Sequence, residues 1–189
     1  MPGKRGGIFM KNKGNANNIF VKECITHALV CLIQTKPLSA VSITELANTA
    51  GVSRMAYYRN FNSKEEIFSS YMDIIIDRYD KYTDNLIPGG VYSDKEHMVH
   101  YFSWLLENKD FLYAVINSGY GSVFLSKMTK YILGRWCKNK TINMEYYTLV
   151  AFSGSLYNLY ISWSKNDFKE TPEEMADILY NIHHLKTDG

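Results

Sequence analysis

Proline is scarce in this chain: four residues in 189, and none between Pro37 and Pro88. An interior proline removes a helix hydrogen bond and clashes with the preceding turn, so the gap favours long uninterrupted helices. Cysteine is scarcer still. Three is an odd number, which excludes a fully paired disulfide framework and fits a reducing cytoplasm. Cys24 and Cys31 are seven residues apart and share a helical face, where they read as small core hydrophobes. A secretory core is missing, since Lys4 and Arg5 precede only Ile8-Phe9-Met10, and Met10 could serve as the natural start. No segment alternates as a strand, and no repeat or low-complexity tract occurs. The chemistry of catalysis is absent too: there is no Gly-rich phosphate loop, nucleophile elbow, HExxH or carboxylate pair that spacing brings together. The chain reads as a non-enzyme with no cofactor. Apolar content of 46% with 21% charged residues excludes disorder. The fold class expected is all-α, with about nine helices.

One stretch lacks charge altogether, the nineteen residues Tyr146 to Ser164. Thr148, Ser153, Ser155, Asn158 and Ser162 make it too polar for a membrane span, so no membrane partner is expected. A helix uncharged on all sides is buried on all sides. In a domain this small, that implies packing on its own subunit and on a second copy, with Gly154 allowing a close approach. His97 and His100 lie three apart beside Glu96, but spacing fixes no third ligand, so no metal site is expected.

Charge is unevenly spread. Residues 1–64 hold nine Lys/Arg against Glu23 and Glu45, a net of +7, whereas residues 65–189 hold twelve Lys/Arg against seventeen Asp/Glu, a net of −5. The basic third carries the most specific pattern in the chain, Val41 to Phe68. Ser42-x-x-Glu45 is a capping box, followed by Ile43, Leu46, Ala47 and Ala50 on one helical face. Gly51 suits a left-handed turn, Val52 plugs the corner, and Ser53 caps a second short helix from Arg54 to about Asn60. Two helices crossing through a short glycine turn make a helix-turn-helix. Arg54, Met55, Tyr58 and Arg59 project from the second, where base edges and phosphates would lie. A basic region carrying that motif is the footprint of duplex DNA binding.

The run Ile43-Thr44-Glu45-Leu46-Ala47, Ala50-Gly51-Val52-Ser53, Tyr57-Tyr58-Arg59-Asn60-Phe61 and Ser63-Lys64-Glu65-Glu66 resembles the DNA-binding domain of TetR/AcrR-type transcriptional regulators. The resemblance covers about residues 19–79, and the remainder matches in helical layout only. It implies a cytoplasmic, homodimeric regulator on a palindromic double-stranded operator. Ser42, Thr44, Tyr58 and Lys64 would hold phosphates, Ser53 would lie at the same interface, and Arg54, Met55, Tyr57 or Arg59 would read bases. The family dimerises through its last two long helices, which implicates Gly154, Tyr157, Ile161, Met175 and Leu179.

The organisation expected is a flexible basic arm over 1–15, a DNA-binding domain over 16–79 with its motif at about 42–61, and a ligand-binding and dimerisation domain over 80–189. Phe20, Cys24, Ala28 and Cys31 form one stripe of the first helix, about Ala16 to Gln34, with Val21, Ile25, Leu29 and Leu32 beside it. Further capping boxes are Ser63-x-x-Glu66, Ser93-x-x-Glu96 and Thr171-Pro172-Glu173-Glu174. Aromatic residues crowd the second domain, suiting a pocket for a flat or cationic effector. Helical spacing turns Tyr101, Trp104, Phe124, Tyr147 and Tyr157 inward as its lining. The functional expectation is a repressor released by a small molecule. The alternative is a TetR-like regulator or coactivator, resembling those of dihydroxyacetone kinase operons, whose C-terminal domain binds a protein partner.

Overall fold

The structure, a computed structural model, describes residues 6–138 and 142–184, with side chains from Asn18 onward. It is helical throughout, with no strand among the described residues. The chain divides into two compact units, residues 1–74 and 75–189, with the boundary inside one helix.

The N-terminal unit contains α1 (Gly6–Ile33), α2 (Ile43–Thr49), α3 (Arg54–Asn60) and the first half of α4 (Lys64–Leu86). α1 begins within the stretch expected as a basic arm, whose first five residues lie outside the described ones. Ile25, Leu29, Val41, Leu46, Tyr57, Phe61, Ile67, Phe68 and Met72 form this unit's core, all at most 3% exposed. Full burial of each such side chain stabilises by roughly 1.5–3 kcal/mol. The apolar stripe of α1 is rotated from the expectation: Phe20 is 61% exposed, Cys31 is exposed and Cys24 half-buried. Ala28 of that stripe faces the core together with Ile25 and Leu29 of the stripe beside it, and neither cysteine is a core residue. Lys22 fixes α1 on its neighbours, donating to Ser70 Oγ at 2.9 Å and lying 5.6 Å from the Phe61 ring centroid.

The C-terminal unit holds the rest of α4 with α5 (Lys95–Glu107), α6 (Lys109–Val115), α7 (Gly121–Trp136), α8 (Met144–Lys165) and α9 (Pro172–His184). A turn of π-helix, Ile116–Tyr120, separates α6 from α7, with Gly119 at φ 85° supplying the left-handed residue. α5 packs on α9 and α7 on α8. Arg135 of α7 pairs with Asp80 and Asp84 of α4, and Tyr131 donates to Asp80 Oδ1 at 2.9 Å. Of the capping boxes, only Thr171–Glu174 closes as read: Glu174 N–H donates to Thr171 Oγ1 at 3.2 Å, and Thr171 N–H to Glu174 Oε2 at 2.7 Å. Ser93 caps nothing, because α5 starts later, at Lys95. Asp94 stands before it and accepts instead from Val91 N–H at 2.8 Å.

No helix among the described residues is long and apolar enough to cross a membrane. No group of three or more His, Cys, Asp or Glu there could hold a metal ion.

Candidate nucleic-acid interface and aromatic cavity

Local chemistry fixes both short helices of the N-terminal unit. Ser42 stays extended and its Oγ accepts from Glu45 N–H at 3.1 Å, starting α2. The reciprocal half of that box is missing, because Glu45 turns to Lys36, Nζ to Oε1 2.5 Å. That ion pair is the first cause of the lowering of the Glu45 carboxyl below its usual range. Gly51 ends α2 at φ 66° with open space around it, and Val52 N–H returns to Ala47 O at 3.0 Å. Ser53 then caps α3, accepting from Ala56 N–H at 3.1 Å.

α3 sorts its side chains by face. Tyr57 and the following Phe61 are 1% exposed and bind α3 to the core, whereas Arg54, Met55, Tyr58 and Arg59 point outward. Met55 is 70% and Tyr58 53% exposed, and the Tyr58 ring is held edge-on to Tyr57 at 5.3 Å. Ser42, Thr44 and Ser53 are exposed beside them in sequence. This end of the unit thus offers two cations, three hydroxyls and two large apolar tips.

Two residues expected at a DNA surface are committed elsewhere. Tyr57 is interior, so it cannot read a base; burial pushes its hydroxyl up to about 12. Lys64 is half-buried, and its ammonium donates to Leu38 O at 2.6 Å and Val41 O at 2.7 Å. It pins the segment that leads into α2. Neither role is legible in the sequence, since burial and a lysine's partners twenty-odd residues away depend on packing.

The C-terminal unit contains a small cavity, partly open to solvent, with room for ≈ 20 Å³, roughly one water molecule. From α4 comes Tyr79, and from the connection after it Tyr92. α5 contributes His97, Met98 and Tyr101; α7 contributes Met128, Tyr131, Ile132 and Trp136. Phe152 and Leu156 of α8 close it. Ring contacts knit the wall: Tyr92 to Phe152 at 4.8 Å, Tyr131 to Trp136 at 5.8 Å and His97 to Trp136 at 6.0 Å. His97 is 3% exposed and seated against Gly90, where a Cβ would come within 2.2 Å of its ring. Both its ring nitrogens and the Tyr101 hydroxyl lack a hydrogen-bond partner among the described residues. Burial lowers the His97 pKa below 6.5 and raises that of Tyr101 well above 10.

Of the five residues expected to line a pocket, Tyr101 does so. Trp104 and Phe124 are buried core rings, Trp104 against Tyr79 at 5.4 Å and Phe124 between Tyr157 and Tyr160, both at 5.7 Å. Tyr157 lies with its hydroxyl against Gly121, and Tyr147 is 60% exposed, outside any cavity. His97 stood out in the sequence only as half of a weak metal pair. Trp136 and Phe152 gave no signal beyond being aromatic, because the register of α7 against α8 decides which rings meet.

The assembly residues also divide. Gly154 lines a shallow groove on α8 and α9 with Ala151, Ser155, Asn158, Ser162 and Ile182. Tyr157 and Ile161 are half-buried. Met175 and Leu179 are at most 4% exposed inside the unit, where no second copy can touch them. The exposed large apolar residues of α9 are Ile178 and Ile182, 43% and 52% exposed.

Two family models match this chain. Residues 25–71 fit the model described as "Bacterial regulatory proteins, tetR family", and residues 94–184 fit a TetR C-terminal model described as "Transcriptional regulator C-terminal region". The chain belongs to the TetR family. Among characterised relatives, the HTH-type transcriptional regulator EthR of Mycobacterium tuberculosis is 31% identical over 67 residues. That match takes in 35% of this chain but spans only 31% of EthR. Solved structures extend the likeness over most of the TetR chain. The fatty acid degradation regulator FadR from Bacillus halodurans aligns with TM-score 0.59 at 15% identity, over 86% of this chain and 93% of that one. The dihydroxyacetone kinase operon activator DhaS aligns with TM-score 0.56 at 14% identity, over 87% and 94%. At such identities the likeness is one of fold.

Proposed function

We propose that this TetR-family protein is a cytoplasmic homodimeric repressor that binds a palindromic operator and is released by a small molecule held in the C-terminal unit. The observation that carries the reading is the outward face of α3, where Arg54, Met55, Tyr58 and Arg59 stand clear of the core on a helix capped at Ser53. A rigid short helix with two cations and two apolar tips suits the major groove, where arginine reads guanine and apolar groups meet the thymine methyl. Ser42, Thr44 and Ser53 are short hydroxyls suited to phosphates, which set register without reading sequence. The basic charge of residues 1–64 adds the non-specific attraction.

For the effector, an aromatic cavity with unmatched polar groups in its wall supports a small molecule over a protein partner. Tyr79 of α4 lines it, and α4 also belongs to the DNA-binding unit, which gives a route for coupling. Release requires tighter binding to the DNA-free form than to the bound one, because a ligand indifferent to the two shifts nothing.

The test is selection of a duplex from a random pool, followed by salt-matched binding. A two-fold symmetric site bound by the native chain, and relaxed at one position of each half-site by Arg54→Ala, is the expected result. Equal affinity for all sequences rejects the reading.

A further inference from the structure

We propose that the cavity bounded by Tyr79, His97, Tyr101, Tyr131, Trp136 and Phe152 takes an uncharged ring compound whose polar edge hydrogen-bonds to His97 and the Tyr101 hydroxyl. This names the effector class for the release mechanism above and rests on that reading.

The polar deficit comes first. Buried polar groups in folded proteins are nearly always hydrogen-bonded, and an exception calls for a missing partner. Here two neighbouring side chains of α5, both at most 5% exposed, line one cavity and together leave three polar atoms unmatched among the described residues. A neutral imidazole offers one donor and one acceptor, and a phenol offers a donor with acceptor capacity. A hydroxyl, carbonyl or ring N–H on a ligand can answer them. The Tyr131 hydroxyl, also in the wall, is already spent on Asp80.

Charge is excluded by the lining, which contains no Asp, Glu, Lys or Arg. Arg135, 5.3 Å from the Trp136 ring, is engaged by Asp80 and Asp84, so it serves neither an anion nor a cation in the cavity. Burying an ion against neutral walls is heavily disfavoured. A flat neutral ring instead meets the faces and edges of aromatic neighbours at favourable geometry.

Size sets the remaining limit. The present space holds about one water, so a ring must widen it. Tyr92 and Trp136 are only half-buried and can turn outward, while Met98 and Met128 can repack. Movement of so few side chains opens little room, which restricts the ligand to one or two rings.

The experiment is calorimetric titration of the full chain at pH 7.5 with phenol, indole, benzamidinium and benzoate. Phenol or indole should bind saturably and raise the melting temperature, with both charged probes at least about tenfold weaker. Tyr101→Phe and His97→Leu should each weaken the neutral probe about two- to tenfold, the range of one lost hydrogen bond. Should either variant fold poorly, nuclear Overhauser contacts between phenol protons and the Trp136 ring in the native protein decide instead. Charged probes binding as tightly as neutral ones, unchanged affinity in both variants, or no neutral probe bound at millimolar concentration overturns the proposal; the last leaves a water-filled packing gap. Operator binding is followed in the same solutions. A probe that binds without displacing DNA rejects the release mechanism and spares the cavity, whereas intact DNA binding with no probe bound does the reverse.

Discussion

At the scale of single residues, exposure separates what reads DNA from what holds the reader in place. Arg54 stands free on α3, so Arg54→Ala should leave the melting temperature nearly unchanged and cost ~1–3 kcal/mol on the selected operator, with relaxed preference at one position. Lys64 acts through the fold. Its ammonium is bonded to the Leu38 and Val41 carbonyls, and Lys64→Ala should cost about 1.5–3 kcal/mol of stability in the N-terminal unit. Its loss of operator affinity should track unfolding in a denaturant series rather than the salt dependence of binding. A third prediction concerns pH. Burial lowers the pKa values of His97, His100 and His183 below 6.5. The unfolded chain therefore binds more protons than the native one as pH falls below about 6.5, and stability drops from there toward the folded values. Melts at pH 7.5 and 5.5 should show that drop, and His97→Leu, which cannot take a proton, should make it smaller. Ser42, Gly51, Ser53 and the outward residues of α3 were legible in the sequence, because caps and left-handed turns are decided within a few residues. Tyr57 and Lys64 were not, since adjacent tyrosines differ only in which one the core of α1 and α4 receives.

At the scale of elements, α8 is the helix whose sequence pattern exceeds what one subunit buries. Its inner face, Leu149, Phe152, Leu156, Tyr160 and Trp163, is at most 3% exposed, yet the opposite side bears Ala151, Ser155, Asn158 and Ser162 rather than charge. An uncharged exposed stripe beside Ile178 and Ile182 of α9 fits a helix pair from a second copy. A Cβ placed at Gly154 meets nothing within 4 Å in the single chain. The space at Gly154 opens into the groove of α8 and α9, so Gly154→Leu should leave the subunit folded and no less stable while sedimentation at micromolar concentration shows less dimer. A native chain that sediments as a stable monomer removes the paired-helix arrangement. The length and lack of charge of α8 were readable from the sequence, but its inward side was not. Met175 and Leu179 show the same gap on α9, whose apolar stripe is spent on α5.

At the scale of the whole molecule, the division of charge matters as much as any motif. Residues 1–64 carry a net +7 and the remaining chain −5, so attraction to a polyanion is confined to the part that holds the helix-turn-helix. Each phosphate neutralised on B-DNA releases counterion, and log affinity falls with log salt at a slope of about −0.9 per phosphate. If each of two copies engages two to four phosphates, the slope should lie between roughly −4 and −7. In the proposed two-fold dimer the recognition helices should lie about 34–36 Å, one DNA turn, apart, so half-sites in the selected duplex should be centred ~10 base pairs, or a multiple, from each other. Slope and spacing are linked through the dimer. Gly154→Leu, by weakening assembly, should reduce the slope toward half its native value and abolish the preference for paired half-sites over a single one. A slope and half-site preference unchanged in a variant shown to be monomeric would mean that one copy suffices for operator binding, and the two-fold reading of the operator would fall while Arg54 and α3 kept their role.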